Sequence, residues 1–88
     1  MKTLMLMVKK KWFDQIKSGE KTIDYRDCTE FWAVKLTEPA VDENDEDEEI
    51  VFKKFDQVKF LCGKEVLVKT FVKTEVDIEE GLFLIYFS

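Results

Sequence analysis

The stretch Gly19-Glu20-Lys21-Thr22-Ile23-Asp24-Tyr25-Arg26 (GEKTIDYR) is where this chain changes its hydrophobic period. Before it, residues 10–18 (KKWFDQIKS) put Trp12, Phe13 and Ile16 on one helical face, and Gly19 stands where a C′ glycine stops a helix. From Glu20 to Arg26 the pattern alternates. Lys21, Ile23 and Tyr25 face one way while Thr22, Asp24 and Arg26 face the other, which predicts a half-buried strand.

Working outward, residues 3–8 (TLMLMV) form a continuous apolar run of strand length and read as a buried central strand. On the other side, Asp27 reads as an N-cap with Glu30 at N3 closing a capping box. The short helix that follows would carry Cys28, Phe31, Trp32 and Leu36 as its apolar stripe. Pro39 ends that helix, and residues 38–49 (EPAVDENDEDEE) read as an acidic loop. A short strand is expected at 50–52 and another at 55–61, with Cys62-Gly63-Lys64 turning into a hairpin partner at 65–73. In that partner Val66, Val68, Thr70 and Val72 share one face, opposite Leu67, Lys69 and Phe71. Residues 74–81 read as an acidic connection and 82–87 (LFLIYF) as a buried final strand. The order β-α-β-α-loop-β-β-β predicts one α+β domain over residues 1–88, a small mixed β-barrel of about five strands with two short flanking helices.

Eighty-eight residues suit one modest core, burying roughly 60–65% of the unfolded surface. With 45% hydrophobic residues and eight Phe, the composition is globular. There is no histidine, which excludes a Ser-His-Asp triad, a Cys-His dyad and a His-ligated metal. Proton transfer would fall to carboxylates, lysines, tyrosine, cysteine or water. Cys28 and Cys62 form no CxxC, so no metal site and no cofactor is expected, and both read as reduced, mostly packed thiols. No phosphate-cradling glycine motif is present. The amino-terminal apolar run is too short for a secretory leader, and its basic residues Lys9, Lys10 and Lys11 follow it instead of preceding it. The expectation is a soluble, cytoplasmic protein with no membrane partner.

The net charge of −5 is unevenly spread. Residues 1–37 carry eight Lys/Arg and five Asp/Glu, residues 38–49 carry eight acids and no base, and residues 50–88 carry six of each. A nucleic-acid ligand is therefore expected to approach the amino-terminal part, with the acidic segment pointing away.

The stretch at 19–26 reads GxKxxDxR and resembles the GxKxxExR signature of the ASCH (activating signal cointegrator homology) family of PUA-like small barrels. Its flanks are similar too: an aromatic-rich helix (KWFDQIKSG) before it, an aromatic helix (TEFWAVKL) after it, and later a strand ending in glycine (FDQVKFLCG). Small phage and bacterial members look like this, and the resemblance covers most of the chain apart from the acidic loop. It implies a cleft lined by Lys21, Asp24 and Arg26 that binds RNA or nucleotides. Some members are ribonucleases, and others hydrolyse an acylated cytidine with the motif lysine, a threonine three residues on and a downstream glutamate. Here Asp24 occupies the threonine position, which disfavours that amidohydrolysis. Glu65 and Glu75 are the candidates for the glutamate.

The residue types support binding without the family. Lys21 is a flexible cation suited to phosphate or to polarising a carbonyl, and Arg26 is a planar fork suited to phosphate or a base edge. Asp24, two residues away, is placed to hold the guanidinium or to accept from a base amine. In a regular strand Lys21 points away from both, so a shared pocket needs a bulge, a bend or a reach around an edge. The plainer alternative is an exposed salt-bridge ladder. Lys9, Lys10 and Lys11 at the start of the first helix read either as a phosphate site or as solubilising surface. Trp12, Phe13, Phe31, Trp32 and Tyr25 are stacking candidates, with core packing the alternative for a helical stripe.

Three functions remain open from the sequence. One is an RNA- or nucleotide-binding module using Lys9–Lys11, Trp12, Lys21, Asp24, Tyr25 and Arg26. The second is a small hydrolase, with Lys21 as electrophile or base and Asp24 as base or orienting group. The third is a phage-type accessory inhibitor that reaches a host nucleic-acid enzyme through acids 42–49; weak cation binding or simple solvation are the other readings of that loop. The expected state is a monomer or a weak dimer formed through exposed strand edges.

Overall fold

The computed structural model describes residues 1–38 and 51–88. The elements are β1 (Thr3–Met7), α1 (Lys10–Ser18), β2 (Ile23–Asp27), α2 (Glu30–Leu36), β3 (Gln57–Cys62), β4 (Glu65–Asp77) and β5 (Leu82–Phe87). The fold is α+β, and the five strands make one mixed sheet in the order β1-β3-β4-β5-β2. β1 runs parallel to β3, and the remaining pairings are antiparallel. Apart from Glu38, the acidic loop at 38–49 lies outside the described residues, and so does Ile50 of the expected 50–52 strand. Phe52 makes only an isolated bridge to Thr37.

The helix–glycine–strand switch forms as the period predicts. Gly19 sits at φ 89, and its N–H bonds to the Ile16 carbonyl at 3.2 Å, closing α1 in the left-handed conformation that glycine adopts without steric cost. The β3–β4 hairpin turns on Gly63 and Lys64, with Gly63 at φ 58 and no positive φ at Lys64, the pattern of a type II′ turn.

Four expectations are corrected. β1 is an edge strand, not a central one: among the described residues only β3 pairs with it, and Leu4 and Leu6 are buried while Met5 and Met7 are exposed. An unbroken apolar run does not require two buried faces, because methionine tolerates the outer one. The N-cap of α2 is Thr29, whose hydroxyl accepts from the Trp32 N–H, and Asp27 instead ends β2. Of the expected apolar stripe, Leu36 is in the core and Trp32 packs against it, whereas Phe31 and Cys28 are exposed. Finally, residues 74–77 are not a connection but the end of β4, which is thirteen residues long. Only 78–81 form the turn into β5.

β4 explains the barrel-like curl. Glu65 to Thr70 pair with β3, whereas Phe71 to Asp77 pair with β5. The register shifts between Phe71 and Lys73, and such a bulge bends a strand and increases its twist. The concave side collects Leu4, Leu6, Val58, Phe60, Ile85 and Phe87, capped by Phe13 and Ile16 of α1 and Leu36 of α2. Leu67, Lys69 and Phe71 lie on the inner face of β4, and Val66, Val68 and Val72 are exposed on the outer one. Among the described residues no helix is long and apolar enough to cross a membrane.

Candidate functional site

The curl brings β2, one edge of the sheet, up to the end of β1, the other edge. At that seam lies a cavity of about 570 Å³ lined by Met7, Val8, Lys9, Trp12, Lys21, Asp24, Tyr25 and Arg26. Its volume is in the range of small-ligand sites.

Strand alternation turns Asp24 and Arg26 inward. Asp24 faces the side of Ile85 and Arg26 that of Phe83 on the neighbouring strand. The Asp24 side chain is 6% exposed and that of Arg26 19%. Arg26 Nε donates to Asp24 Oδ2 at 2.5 Å, and Nη2 donates to the Met7 carbonyl at 2.9 Å. The Trp32 ring lies against the guanidinium, 4.9 Å from centroid to Cζ. A carboxylate, a carbonyl and a ring thus hold Arg26 in place. Its part in the site is chiefly to fix Asp24 and join the sheet edges.

Lys21 reaches the same cavity although it lies on the opposite side of the alternation. β2 begins only at Ile23, and the Lys21 N–H bonds to the Gln15 carbonyl of α1 at 3.1 Å. The turn at Gly19 and this bond set Lys21 beside α1, where its ammonium lies 4.9 Å from the Trp12 ring and 5.0 Å from the Tyr25 ring. β2 is an edge strand, and among the described residues no strand pairs on that side to block the approach. The reach around an edge, not a bulge in β2, assembles the pocket.

The three-lysine cluster divides. Lys9 lines the cavity and occupies the N-cap position of α1, with no side-chain capping bond. Lys10 turns away to Glu65 at 2.7 Å and Asp14 at 3.2 Å, and these hydrogen bonds raise its pKa above the ordinary lysine value. Lys11 lies 4.8 Å from the Trp12 ring without lining the cavity. Of the remaining stacking candidates, Phe13 is core, Trp32 supports Arg26, and Phe31 is exposed with Lys35 over its ring.

Neither candidate glutamate joins the pocket. Glu65 pairs with Lys10, and Glu75 lies on the outer face with Lys73 at 2.6 Å and the Tyr86 hydroxyl at 3.2 Å. Sequence reasoning missed Met7 and Val8 as lining residues and the Met7 carbonyl as the partner of Arg26. A main-chain acceptor exists at every residue, so no sequence signal marks this one. Among the described residues no group of three His, Cys, Asp or Glu side chains is placed to hold a metal ion.

Chemically, the cavity offers two ammonium groups, two aromatic walls and a fixed carboxylate. That combination suits an anionic group joined to a planar ring. Compared with known proteins, the chain matches no family model, no curated protein and no solved structure.

Proposed function

We propose that this chain is an ASCH-like, PUA-like binding module whose pocket takes a nucleotide or a nucleotide unit of RNA. One observation carries the reading: Lys9, Lys21, Trp12, Tyr25 and Asp24 line a single cavity although they come from the N-cap of α1, α1 itself, the turn after it and β2. In this reading Lys9 and Lys21 neutralise phosphate, Trp12 or Tyr25 stacks on the base, and Asp24 accepts from an amine or ring N–H on the base edge. Arg26 acts by holding Asp24 still, which departs from the phosphate role its residue type suggests. The GxKxxDxR stretch supports the same reading.

The experiment is fluorescence anisotropy of a labelled single-stranded RNA at two salt concentrations, with Lys9→Ala/Lys21→Ala in parallel. Affinity should fall with salt, with a log–log slope shallower by about 1–1.5 in the double variant, since each single-strand phosphate contact contributes roughly 0.7. Unchanged affinity and slope in the double variant would overturn the proposal.

A further inference from the structure

Tyr25 lines the cavity, and the chemistry found there continues onto the outside of the sheet. Alternation places Ile23 and Tyr25 on the outer face of β2, Leu84 and Tyr86 on that of β5, and Lys73 and Glu75 on that of β4. The register sets Ile23, Tyr86 and Lys73 in one row and Tyr25, Leu84 and Glu75 in the next. Tyr25 and Tyr86 are therefore diagonal neighbours, about 7–8 Å apart along the sheet surface.

Each ring along this path has a lysine ammonium beside it. Lys11 lies 4.8 Å from the Trp12 ring, Lys21 is 4.9 Å from Trp12 and 5.0 Å from Tyr25, and Lys73 is 4.9 Å from Tyr86. Tyr25, in the middle, is 51% exposed. Aromatic platforms interleaved with ammonium groups are what a flexible single strand needs: bases stack on rings of any sequence, and phosphates pass between cations. The Glu75 carboxylate stands on the path. Glu75 accepts from Tyr86 and pairs with Lys73.

We propose that the pocket is the first subsite of a track for single-stranded nucleic acid, running from Lys11 and Trp12 over Tyr25 to Tyr86 and Lys73, with Glu75 as a restraint on its far end. This rests on the pocket reading above and extends it: the ligand is an oligonucleotide of several units, held by stacking and charge without base-edge readout beyond the first subsite. Glu75 weakens the far subsite by occupying Lys73 and by repelling phosphate.

The test is an amide ¹H–¹⁵N titration of the whole protein with uridine monophosphate, tetrauridylate and tetrathymidylate. Monophosphate should shift amides around Lys21 and Tyr25 only. Tetrauridylate should bind at least about fivefold tighter and also shift amides around Lys73 and Tyr86, as one further stacked base implies. Tyr86→Ala with Lys73→Ala should remove that gain while leaving monophosphate binding unchanged. Glu75→Gln should tighten tetranucleotide binding severalfold, and it keeps the idea testable should the double variant lose its dispersed spectrum. Tetrathymidylate should bind much like tetrauridylate, and a requirement for ribose would overturn recognition by stacking and charge alone. Monophosphate binding with no gain for the tetranucleotide, or no tightening in Glu75→Gln, would sink the track and leave the pocket standing. No shift with any of the three would sink both.

Discussion

Arg26 Nη2 donates to the main-chain carbonyl of Met7 at 2.9 Å, joining the two edge strands of the sheet by one side chain. The same guanidinium holds Asp24 through Nε. One residue thus closes the curled sheet and orients the carboxylate in the pocket, so architecture and candidate site share a single bond network.

The first prediction concerns this network. Arg26→Ala should leave Asp24 buried and unpaired and cost about 3 kcal/mol. Asp24→Ala/Arg26→Ala should cost less than Arg26→Ala alone, because no orphaned charge remains. Urea unfolding of the three proteins measures the difference, and a double variant less stable than Arg26→Ala would count against the pair as described.

A second prediction lies at the helix–strand junction. A Cβ added at Gly19 would meet no atom within 4 Å, so the cost of Gly19→Ala is conformational. Holding alanine at φ 89 should take about 1–2 kcal/mol from stability. The thermal midpoint should fall, with the folded spectrum retained.

The core sets a third expectation. Phe60 is fully buried on β3 and packs against Phe87, with ring centroids 4.7 Å apart. Phe60→Ala should cost about 3–5 kcal/mol. That is much of the ~5–15 kcal/mol available to a small domain, so far-ultraviolet circular dichroism at 37 °C should show a substantial unfolded fraction.

The fourth prediction is a pH dependence. The Lys73 hydrogen bond holds the Glu75 carboxyl below its usual pKa, with the Tyr86 hydroxyl adding a smaller effect in the same direction. Lys73 is correspondingly raised by Glu75, and burial first, then the Glu75 charge, keeps the Tyr86 phenol protonated to higher pH. A carboxyl whose folded pKa is depressed contributes stability above its unfolded pKa of about 4.3, and that contribution fades as pH falls through the folded value. The pair is solvent-exposed, so the effect is small. The gap in urea midpoint between the native protein and Glu75→Gln should be present at pH 7 and shrink at pH 3. A gap that widens on acidification would contradict the pairing.

Much of the local structure was legible in the sequence. The change from a helical to an alternating period at Gly19 located α1 and β2, and the inward facing of Asp24 and Arg26 followed from their spacing. These features depend on φ/ψ preferences and on which face of one element is apolar, and neighbouring residues encode both. The capping of α2 was misassigned because Asp27 and Thr29 both suit an N-cap, and only the extent of β2 chooses between them.

Tertiary structure alone decided the rest. The sequence of β1 suits a central strand equally well; its place at the edge depends on β3 being its only partner among the described residues. Lys21 and Asp24 point apart along their own segment, and they share a cavity because β2 is an edge and Lys21 is tied to Gln15 of α1. Arg26 finds Met7, nineteen residues away, because the bulge in β4 curls the sheet until its edges meet. Residue type states what a side chain can bond to, but the partner is set by closure of the whole sheet, and a main-chain carbonyl carries no mark in the sequence to announce it.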